Sequence, residues 1–484
     1  MPYDSSPSYN SLPSDSSSSP LIYSLIDLTE NCISPALSQL VNQLYWILLF
    51  CCLFRLLCLS KLFSSRTLHY IQICSSIFIL YNYFHFQSIY LLTYIFMGYL
   101  AFQLCLEKCR KYLTYIIVFF SIIYVLACEF ILIEQEKWHS IRGVQMCIMM
   151  KMISLAIDYP YFEKLSTTNT DESVLYPTNI EFFSYILSIH NTIFGPWINY
   201  RNYISRFHEK KSIRKIDFFE LARWTYYFLR LAVCLLVSTC LTDWFLRNII
   251  SYDDQQDHQR NGWRIAYIQA LSYRFSHYIN SSSSSSISTK PTLSQTFLSS
   301  SSTHSSAIVK PFHIELPHSL VDVVVNWNLP MHYWLKIYVY MPMKQRYGHL
   351  TSILVTYLAS ALLHGFNFQL SIVLFSIGLF AYVEYGFRRK LANILDACVA
   401  ARTCPSRSSC DKHTYTYWHP MTLILNTFLC LLSLWHLTYL GQLFDNSAQE
   451  TIGYSWQHVL DKWARLNFAS HLVVIGTYAI FRSL

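Results

Sequence analysis

Long apolar stretches separated by short polar connections recur along most of the chain. They lie at about 40–59, 70–87, 89–105, 113–134, 182–198, 224–247, 350–365, 367–386, 421–443 and 466–483, with less apolar helical candidates at 141–157 and 263–279. Most of them approach the ~20 residues that a helix needs to cross a bilayer, where backbone polar groups must be satisfied internally. The pattern predicts an all-α polytopic membrane protein with about ten to twelve membrane helices.

Two polar segments interrupt this pattern. Residues 1–35 begin with a Ser/Pro-rich sequence that offers no apolar face, so we expect a disordered tail. Residues 280–310 contain the runs NSSSSSS and LSSSSTHSS, for which we expect a flexible loop. The membrane domain is therefore expected in two parts, an N-terminal part at 36–279 and a catalytic part at 311–484.

Composition agrees with a membrane location and excludes a soluble single-core protein. Hydrophobic residues make up 53% of the chain and charged residues only 13%, against the roughly 25% charged residues of an average globular protein. The net charge of +8 marks cytoplasmic loops in a membrane protein, so we expect no nucleic-acid partner.

Basic residues indicate how the chain crosses the membrane. They cluster at 61–66, 108–111, 210–215 and 388–390. The first two clusters are separated by two apolar stretches, so they share one face, which the positive-inside rule makes cytosolic. The N-terminus is then lumenal. The cluster at 210–215 keeps this parity only if one segment between 134 and 200 is re-entrant or fails to span, and the sequence does not decide which.

The 15 cysteines are interpreted mainly as small apolar residues. Most lie in apolar stretches, as Cys51 and Cys240 do, and we expect no disulfide framework there. Cys404, Cys410 and His413 share a polar loop whose spacing suits zinc or a disulfide, but no second CxxC motif supports a metal site. We therefore expect no bound metal.

Two segments carry candidate chemistry. One is NWNLPMHYWL at 326–335, where polar groups and a proline interrupt an apolar stretch. The other is the apolar stretch 350–365, which ends in His364 and Gly365. Polar groups within membrane helices are costly unless paired or solvated, which makes them functional candidates. A single histidine or asparagine is more often satisfied by one neighbour, and composition does not join the two segments.

The sequences WNLPMHYWL and LVTYLASALLHG resemble the paired signature of the membrane-bound O-acyltransferase family. Further resemblance lies in RGVQM at 142–146 with Lys151, Ser154 and Asp158, FGPW at 194–197, YVE at 382–384, GQLFD at 441–445, and Lys462-Trp463 with His471. These motifs run from about 140 to 475. The departures are the Ser-rich tract, Val144 where the family more often has Ala, and Leu472 where it has Trp.

The resemblance implies a helical fold around an internal reaction chamber, with His364 and Asn328 as the catalytic pair. His364 would remove the proton from an acceptor hydroxyl, because imidazole titrates near neutrality. Asn328 would stabilise the thioester oxyanion or orient the imidazole. Seven further residues are expected to contact substrate: Arg142, Gln145, Lys151, Trp197, Trp327, Tyr333 and Trp334. Arg142 and Lys151 have an alternative role, which is pairing with Asp158 and Glu136.

The resemblance also implies the substrates. It is strongest to the branch of the family that acylates Wnt proteins on serine, so the acyl donor would be palmitoleoyl-CoA and no separate cofactor is expected. The location would be the endoplasmic reticulum membrane, in contact with its lipid. Two other classes stay open: a transporter or channel in which Asn328, His332 and His364 line a path, and a non-catalytic scaffold for a lipidated protein.

Overall fold

The computed structural model describes residues 28–60, 62–168, 177–188, 197–208, 218–242, 262–287, 308–365, 368–404, 410, 412–444 and 455–484. In the first half of the chain the α-helices are α1 (Ser34–Ser60), α2 (Ser65–Phe84), α3 (Ser88–Lys108), α4 (Leu113–Ala127), α5 (Gln135–Thr168), α6 (Asn179–Ile186), α7 (Tyr200–His208) and α8 (Phe218–Leu236). They are followed by α9 (Gly262–Ile287), α10 (Phe312–Glu315), α11 (Leu320–Trp327), α12 (Leu329–Leu335), α13 (Met341–Tyr347), α14 (His349–Leu363), α15 (Phe368–Leu395), α16 (Pro420–Gly441), α17 (Trp456–Arg465) and α18 (Ala469–Ser483).

Several of these helices are long and apolar enough to cross a membrane. In the described part of the chain, five continuous helical segments qualify: Ser65–Lys108, Arg110–Leu132, Lys137–Pro160, Phe368–Leu395 and Pro420–Gly441. The pair α17 and α18 would add a sixth, although a bend of 74° separates them. The prediction of an all-α, multi-pass membrane protein is confirmed. The total of ten to twelve membrane helices stays a prediction.

The membrane helices bury one face in the protein and turn the other outward. In α4, Leu113, Ile117 and Val125 are buried at intervals of four or eight residues. Tyr115 and Phe119 on the opposite side are each 67% exposed. Such apolar exposure would be a liability in water. It suits contact with lipid, so the helical period of the sequence separates the core face from the lipid face.

The helix α6 shows that the apolar stretch at 182–198 is not one continuous membrane helix. The apolar stretch at 182–198 is predicted as a membrane helix, but α6 ends at Ile186 and residues 197–199 are not helical. Eight residues span only about 12 Å, against the ~30 Å of a hydrocarbon core. The predicted continuous helix does not form, because residues 187 and 188 are not helical, and residues 189–196 lie outside the described residues. Phe182, Tyr185 and Ile186 are all buried.

The boundaries of both polar segments differ from those predicted. A π-helical turn occupies Thr29–Ile33 and runs into α1, so the end of the predicted tail is helical. The helix α9 continues to Ile287, beyond the predicted start of the Ser-rich loop. At the other end of that loop, the backbone oxygen of Ile308 accepts a hydrogen bond from the Leu329 N–H. The rest of the tail and residues 288–307 lie outside the described residues.

A disulfide joins Cys32 to Cys240, across 208 residues of sequence. Cys240 therefore is not only a small apolar residue, and the prediction for it was wrong. No sequence motif near either cysteine indicates this pair. The two sulfur atoms meet only because the turn before α1 packs against the π-helical turn Val237–Leu241 that follows α8. Disulfides persist in oxidising compartments, which agrees with a lumenal N-terminus.

Candidate active site

Asn328 lies at the junction of α11 and α12, where the backbone leaves helical geometry with φ −146° and ψ 86°. Pro330 follows in the first turn of α12, a position where the missing N–H of proline breaks no helical hydrogen bond. The Asn328 Oδ1 atom accepts a hydrogen bond from the Met331 N–H at 3.1 Å. A backbone N–H can only donate, so this bond assigns the oxygen and turns the amide Nδ2 away from α12. The bond to Met331 therefore uses the oxygen of the amide and not its N–H groups.

His364 is placed by a tight helix end. It follows α14 directly, and its N–H donates to the Ala361 oxygen at 3.1 Å. Gly365 then adopts φ +83°, and a Cβ atom there would lie 2.3 Å from a ring carbon of Trp138. Only glycine satisfies both the positive φ and the close approach. The break after α14 therefore holds His364 against the start of α5.

Arg142 and His277 lie close enough to His364 to act on its charge. The charge of Arg142 is in turn within range of Glu129, and its guanidinium carbon is 5.7 Å from the centroid of the Trp138 ring. Side chains from α5, α9 and the end of α14, together with Glu129 from the turn after α4, thus form one group of an arginine, two histidines and a carboxylate.

His277 connects this group to the Asn328 segment. Its Nε2 atom lies 2.9 Å from the backbone oxygen of Trp327. Its ring stacks on the Trp327 ring with centroids 4.5 Å apart and planes 4° apart. The Trp327 carbonyl belongs to the peptide bond that leads into Asn328. Because a carbonyl only accepts, His277 Nε2 carries the proton in this bond. The structure therefore joins the two predicted catalytic segments through a third side chain.

Sequence reasoning missed His277 and its neighbour Tyr273. Tyr273 stacks on the Phe444 ring at 4.1 Å and faces Trp327 at 5.9 Å. Both residues lie on α9, which the sequence identifies only as a less apolar helix. The signal that was available is their spacing of four residues, which puts a histidine and a tyrosine on one face of a helix expected in the membrane.

Two of the predicted substrate contacts lie at this group, Arg142 beside His364 and Trp327 against His277. Gln145 is close by, since its Oε1 accepts from Trp138 Nε1 at 3.2 Å. Tyr333 is half-buried on α12, with its ring 5.9 Å from the Lys336 amine.

Other predicted contacts serve the packing of α5. Lys151 is fully buried, and its amine donates to the oxygens of Tyr185, Ile186 and Ser188 at 3.0–3.2 Å. An ammonium group has three donors, so none remains for a phosphate of CoA. Trp334 Nε1 donates to the Met150 oxygen and Trp197 Nε1 to Ser154 Oγ. These side chains tie neighbouring segments to α5.

The alternative role of Arg142 and Lys151, pairing with Asp158 and Glu136, is not seen at Asp158, and the side chain of Glu136 lies outside the described residues. Asp158 Oδ2 instead accepts from the Tyr338 hydroxyl at 2.8 Å and from the Asn199 amide at 2.9 Å. The charge of Arg142 is close enough to the carboxylate of Glu129 to interact with it. Thiols suited to a metal lie elsewhere, in the connection between α15 and α16.

Comparison with known proteins identifies the family. A profile of the membrane-bound O-acyltransferase family matches residues 110–405. The chain is 32% identical over 475 residues to a protein-serine O-palmitoleoyltransferase porcupine from Homo sapiens, covering 94% of this chain and 97% of the relative. The relative from Mus musculus is 31% identical over 477 residues, with the same coverage, and the one from Drosophila melanogaster is 28% identical over 370 residues, covering 72% of this chain and 65% of the relative. The chain therefore belongs to the membrane-bound O-acyltransferase family.

Proposed function

We propose that the protein transfers a palmitoleoyl group from palmitoleoyl-CoA to a serine hydroxyl of a Wnt protein, in the membrane of the endoplasmic reticulum. The observation that carries this proposal is the likeness to protein-serine O-palmitoleoyltransferases over 94% of the chain. Those relatives are named for the acyl group and for the serine. Palmitoleoyl-CoA, the Wnt acceptor and the reticulum follow from the family resemblance.

The arrangement around His364 supports a direct transfer. The His364 imidazole removes the proton from the serine hydroxyl while the serine oxygen forms a bond to the thioester carbon. The carbonyl oxygen becomes an oxyanion in the tetrahedral intermediate. When this intermediate collapses, the carbon–sulfur bond breaks, and the CoA thiolate leaves with the proton held by His364. The products are a serine ester and free CoA.

Asn328 is the proposed oxyanion donor. Its Oδ1 is occupied by the Met331 N–H, which holds the amide in place and leaves the Nδ2 hydrogens for the substrate. A donor that is fixed before the reaction stabilises developing charge without reorganisation. His277 acts as a positioning residue, since it holds the Trp327 carbonyl next to Asn328.

Arg142 is the cationic residue that we assign to the donor substrate. It is the one basic side chain of the predicted contacts that lies beside His364, and Lys151 is committed to α6. The phosphates of CoA lie at the far end of its pantetheine arm from the thioester, so Arg142 beside His364 would attract the anionic donor through its field rather than by contact with a phosphate. The acyl chain would lie between membrane helices.

The experiment is acyl transfer with the purified full-length protein in detergent. A serine peptide from a Wnt protein and palmitoleoyl-CoA are incubated with it, and we expect a mass gain on the peptide together with an equal amount of free CoA thiol. A Ser→Ala peptide is the control. A scaffold would bind the acyl group without releasing CoA, and a transporter would give neither product, so either result contradicts the proposal.

A further inference from the structure

Three cysteines converge in the connection between α15 and α16. The sulfur atoms of Cys398, Cys404 and Cys410 all lie within 4.8 Å of one another, and those of Cys398 and Cys404 are 3.2 Å apart. A tetrahedral zinc ion with Zn–S bonds of about 2.3 Å places its thiolates about 3.8 Å apart. The cluster therefore has the dimensions of a thiolate zinc site. It comes together although five residues separate each cysteine from the next.

The surroundings of Cys410 match those of a metal-bound thiolate. The backbone N–H groups of Lys412 and His413 lie close enough to its sulfur to favour the thiolate. Donors of this kind stabilise the negative charge of a ligand from the second coordination shell.

His413 lies three residues after Cys410 but outside the group of three thiols, so its ring would turn toward the sulfur atoms to act as a fourth ligand. Its Nδ1 atom lies 3.5 Å from Oδ1 of Asp396. A carboxylate on one ring nitrogen is the usual partner of a histidine whose other nitrogen binds zinc. Nε2 is then the nitrogen for the metal.

The connection is anchored at both ends near the cluster. The Cys398 N–H donates to the Tyr415 oxygen, and the Tyr415 N–H donates to the Asp396 oxygen, each at 3.0 Å. The Cys398 oxygen also accepts from the side-chain amide of Asn426 on α16, at 3.1 Å. Cys398 and the segment after Cys410 are thereby held side by side before any metal binds.

We propose that Cys398, Cys404, Cys410 and His413 bind one structural zinc ion. Binding would release the thiol protons, since thiolate is the ligand. Four protein ligands close the coordination shell, so the site is structural and takes no substrate. The proposal is independent of the acyl-transfer function.

The alternative is a disulfide between two of the three cysteines. A disulfide between two of them would not explain why the third sulfur atom lies beside the other two. The basic residues at 388–390 place this connection on the predicted cytosolic side, where thiols are kept reduced. The Cys32–Cys240 disulfide belongs to the opposite, lumenal side by the same topology. The two kinds of cysteine site therefore match the two compartments.

A zinc ion here would stabilise the helix that ends at Asn328. Ser319 at the start of α11 donates to the Ala401 oxygen at 2.9 Å, and His318 lies 2.9 Å from the Ala400 oxygen. Residues 400 and 401 lie between two of the proposed ligands. Loss of the ion would loosen the start of α11.

Metal analysis of the purified full-length protein tests the proposal. We expect one zinc ion per chain in the wild-type protein, and loss of most of it in Cys404→Ser and Cys410→Ser. Cys109→Ser is the matched control, because Cys109 is an exposed cysteine in another connection, and it should keep the ion. His413→Ala should hold zinc less tightly against a chelator but not lose it at once, because three thiolates remain. Wild-type protein without zinc would overturn the proposal.

Thiol labelling separates zinc from a disulfide without any variant. In the native protein, Cys398, Cys404 and Cys410 should resist alkylation until a zinc chelator is added, and no reductant should be needed. Labelling that requires a reductant would show a disulfide, and immediate labelling would show free thiols. Either outcome overturns the proposal, and both can be read even if a cysteine variant fails to fold.

Discussion

At the scale of single residues, the candidate site depends on side chains that each have a separate structural reason for their position. Gly365 holds His364 at the end of α14, and Met331 orients the amide of Asn328. His277 holds the peptide bond between Trp327 and Asn328. Each contact makes a different experimental prediction, because in the proposed mechanism His364 would transfer a proton and Asn328 would stabilise charge.

His364→Ala should abolish acyl transfer while the protein remains folded in the membrane. Loss of a general base typically costs about 10²-fold to 10⁴-fold in rate. The measurement is palmitoleoyl incorporation into a co-expressed Wnt protein, at matched protein levels. His349→Ala is the control, since His349 is an exposed histidine at the other end of the same helix. Labelling near the wild-type level in His364→Ala would contradict the role of the base.

Two variants of Asn328 should distinguish its role as a helix cap from its proposed role in catalysis. Asn328→Ala removes both the Oδ1 acceptor and the Nδ2 donor, so turnover should fall about 10²-fold to 10³-fold and stability by about 1 kcal/mol. Asn328→Asp keeps the cap oxygen and lacks the donor. It should lose turnover to a similar extent and keep its thermal stability. Normal turnover in the Asp variant would show that Asn328 acts only as a cap.

At the scale of helices, the main result is that the site is built at breaks between them. Asn328 lies between α11 and α12, and His364 lies just after α14. A helix end leaves backbone groups and side chains that a continuous helix would commit to its own turns. Breaks in membrane helices are tolerated where they are buried in protein or face a cavity. The same arrangement serves catalysis and satisfies the backbone.

Gly365→Ala tests this arrangement. The substitution forces a side chain into φ +83° and brings a methyl group 2.3 Å from the Trp138 ring, so we expect a loss of about 1–3 kcal/mol in stability and a strong loss of activity. Gly143→Ala on α5 is the matched control, because nothing lies within 4 Å of the added atom. Thermal unfolding in detergent and the transfer assay are measured for both. Equal behaviour of the two variants would contradict the inference.

At the scale of the whole molecule, acyl donor and acceptor would approach from opposite sides of the membrane. Clusters 61–66, 108–111 and 388–390 predict which side is cytosolic. Arg388 itself contributes little to this signal. It is fully buried and paired with Glu384 at 2.6 Å, so the exposed Arg389 carries more of it.

Cysteine labelling tests this sidedness. Cysteines introduced at Ser64 and Asn393, both exposed, should react with an impermeant maleimide when the plasma membrane is opened and the reticulum is sealed. Glu134 follows the membrane segment Arg110–Leu132, which puts it on the predicted lumenal side. A cysteine at this position should react only after the reticulum is opened. The exposed Cys109 is replaced by serine in all three variants to remove background. The reverse pattern would invert the topology and the assignment of CoA to the cytosolic side.

Much of the fold could be predicted from the sequence, whereas less of the site could. The stretch at 113–134 corresponds to α4 and the π-helical turn Cys128–Leu132 that follows it, and the stretch at 421–443 corresponds to α16. Both could be predicted because the hydropathy of a segment does not depend on its neighbours. The same hydropathy predicted one membrane helix at 182–198, but α6 ends inside this stretch at Ile186. An apolar segment buried in protein and one buried in lipid have the same composition.

The sequence by itself determined the all-α membrane class and, through its motifs, the family and the expected pair His364 and Asn328. Only the tertiary structure decided which residues surround that pair. It brought in His277, placed the Lys151 amine against the end of α6, and joined Cys32 to Cys240 and Cys398 to Cys404 and Cys410. The physical reason is the distance along the sequence over which each kind of interaction acts. Hydropathy and helical period act over neighbouring residues, while hydrogen bonds and sulfur contacts depend on segments that are far apart in sequence and meet only when the helices pack.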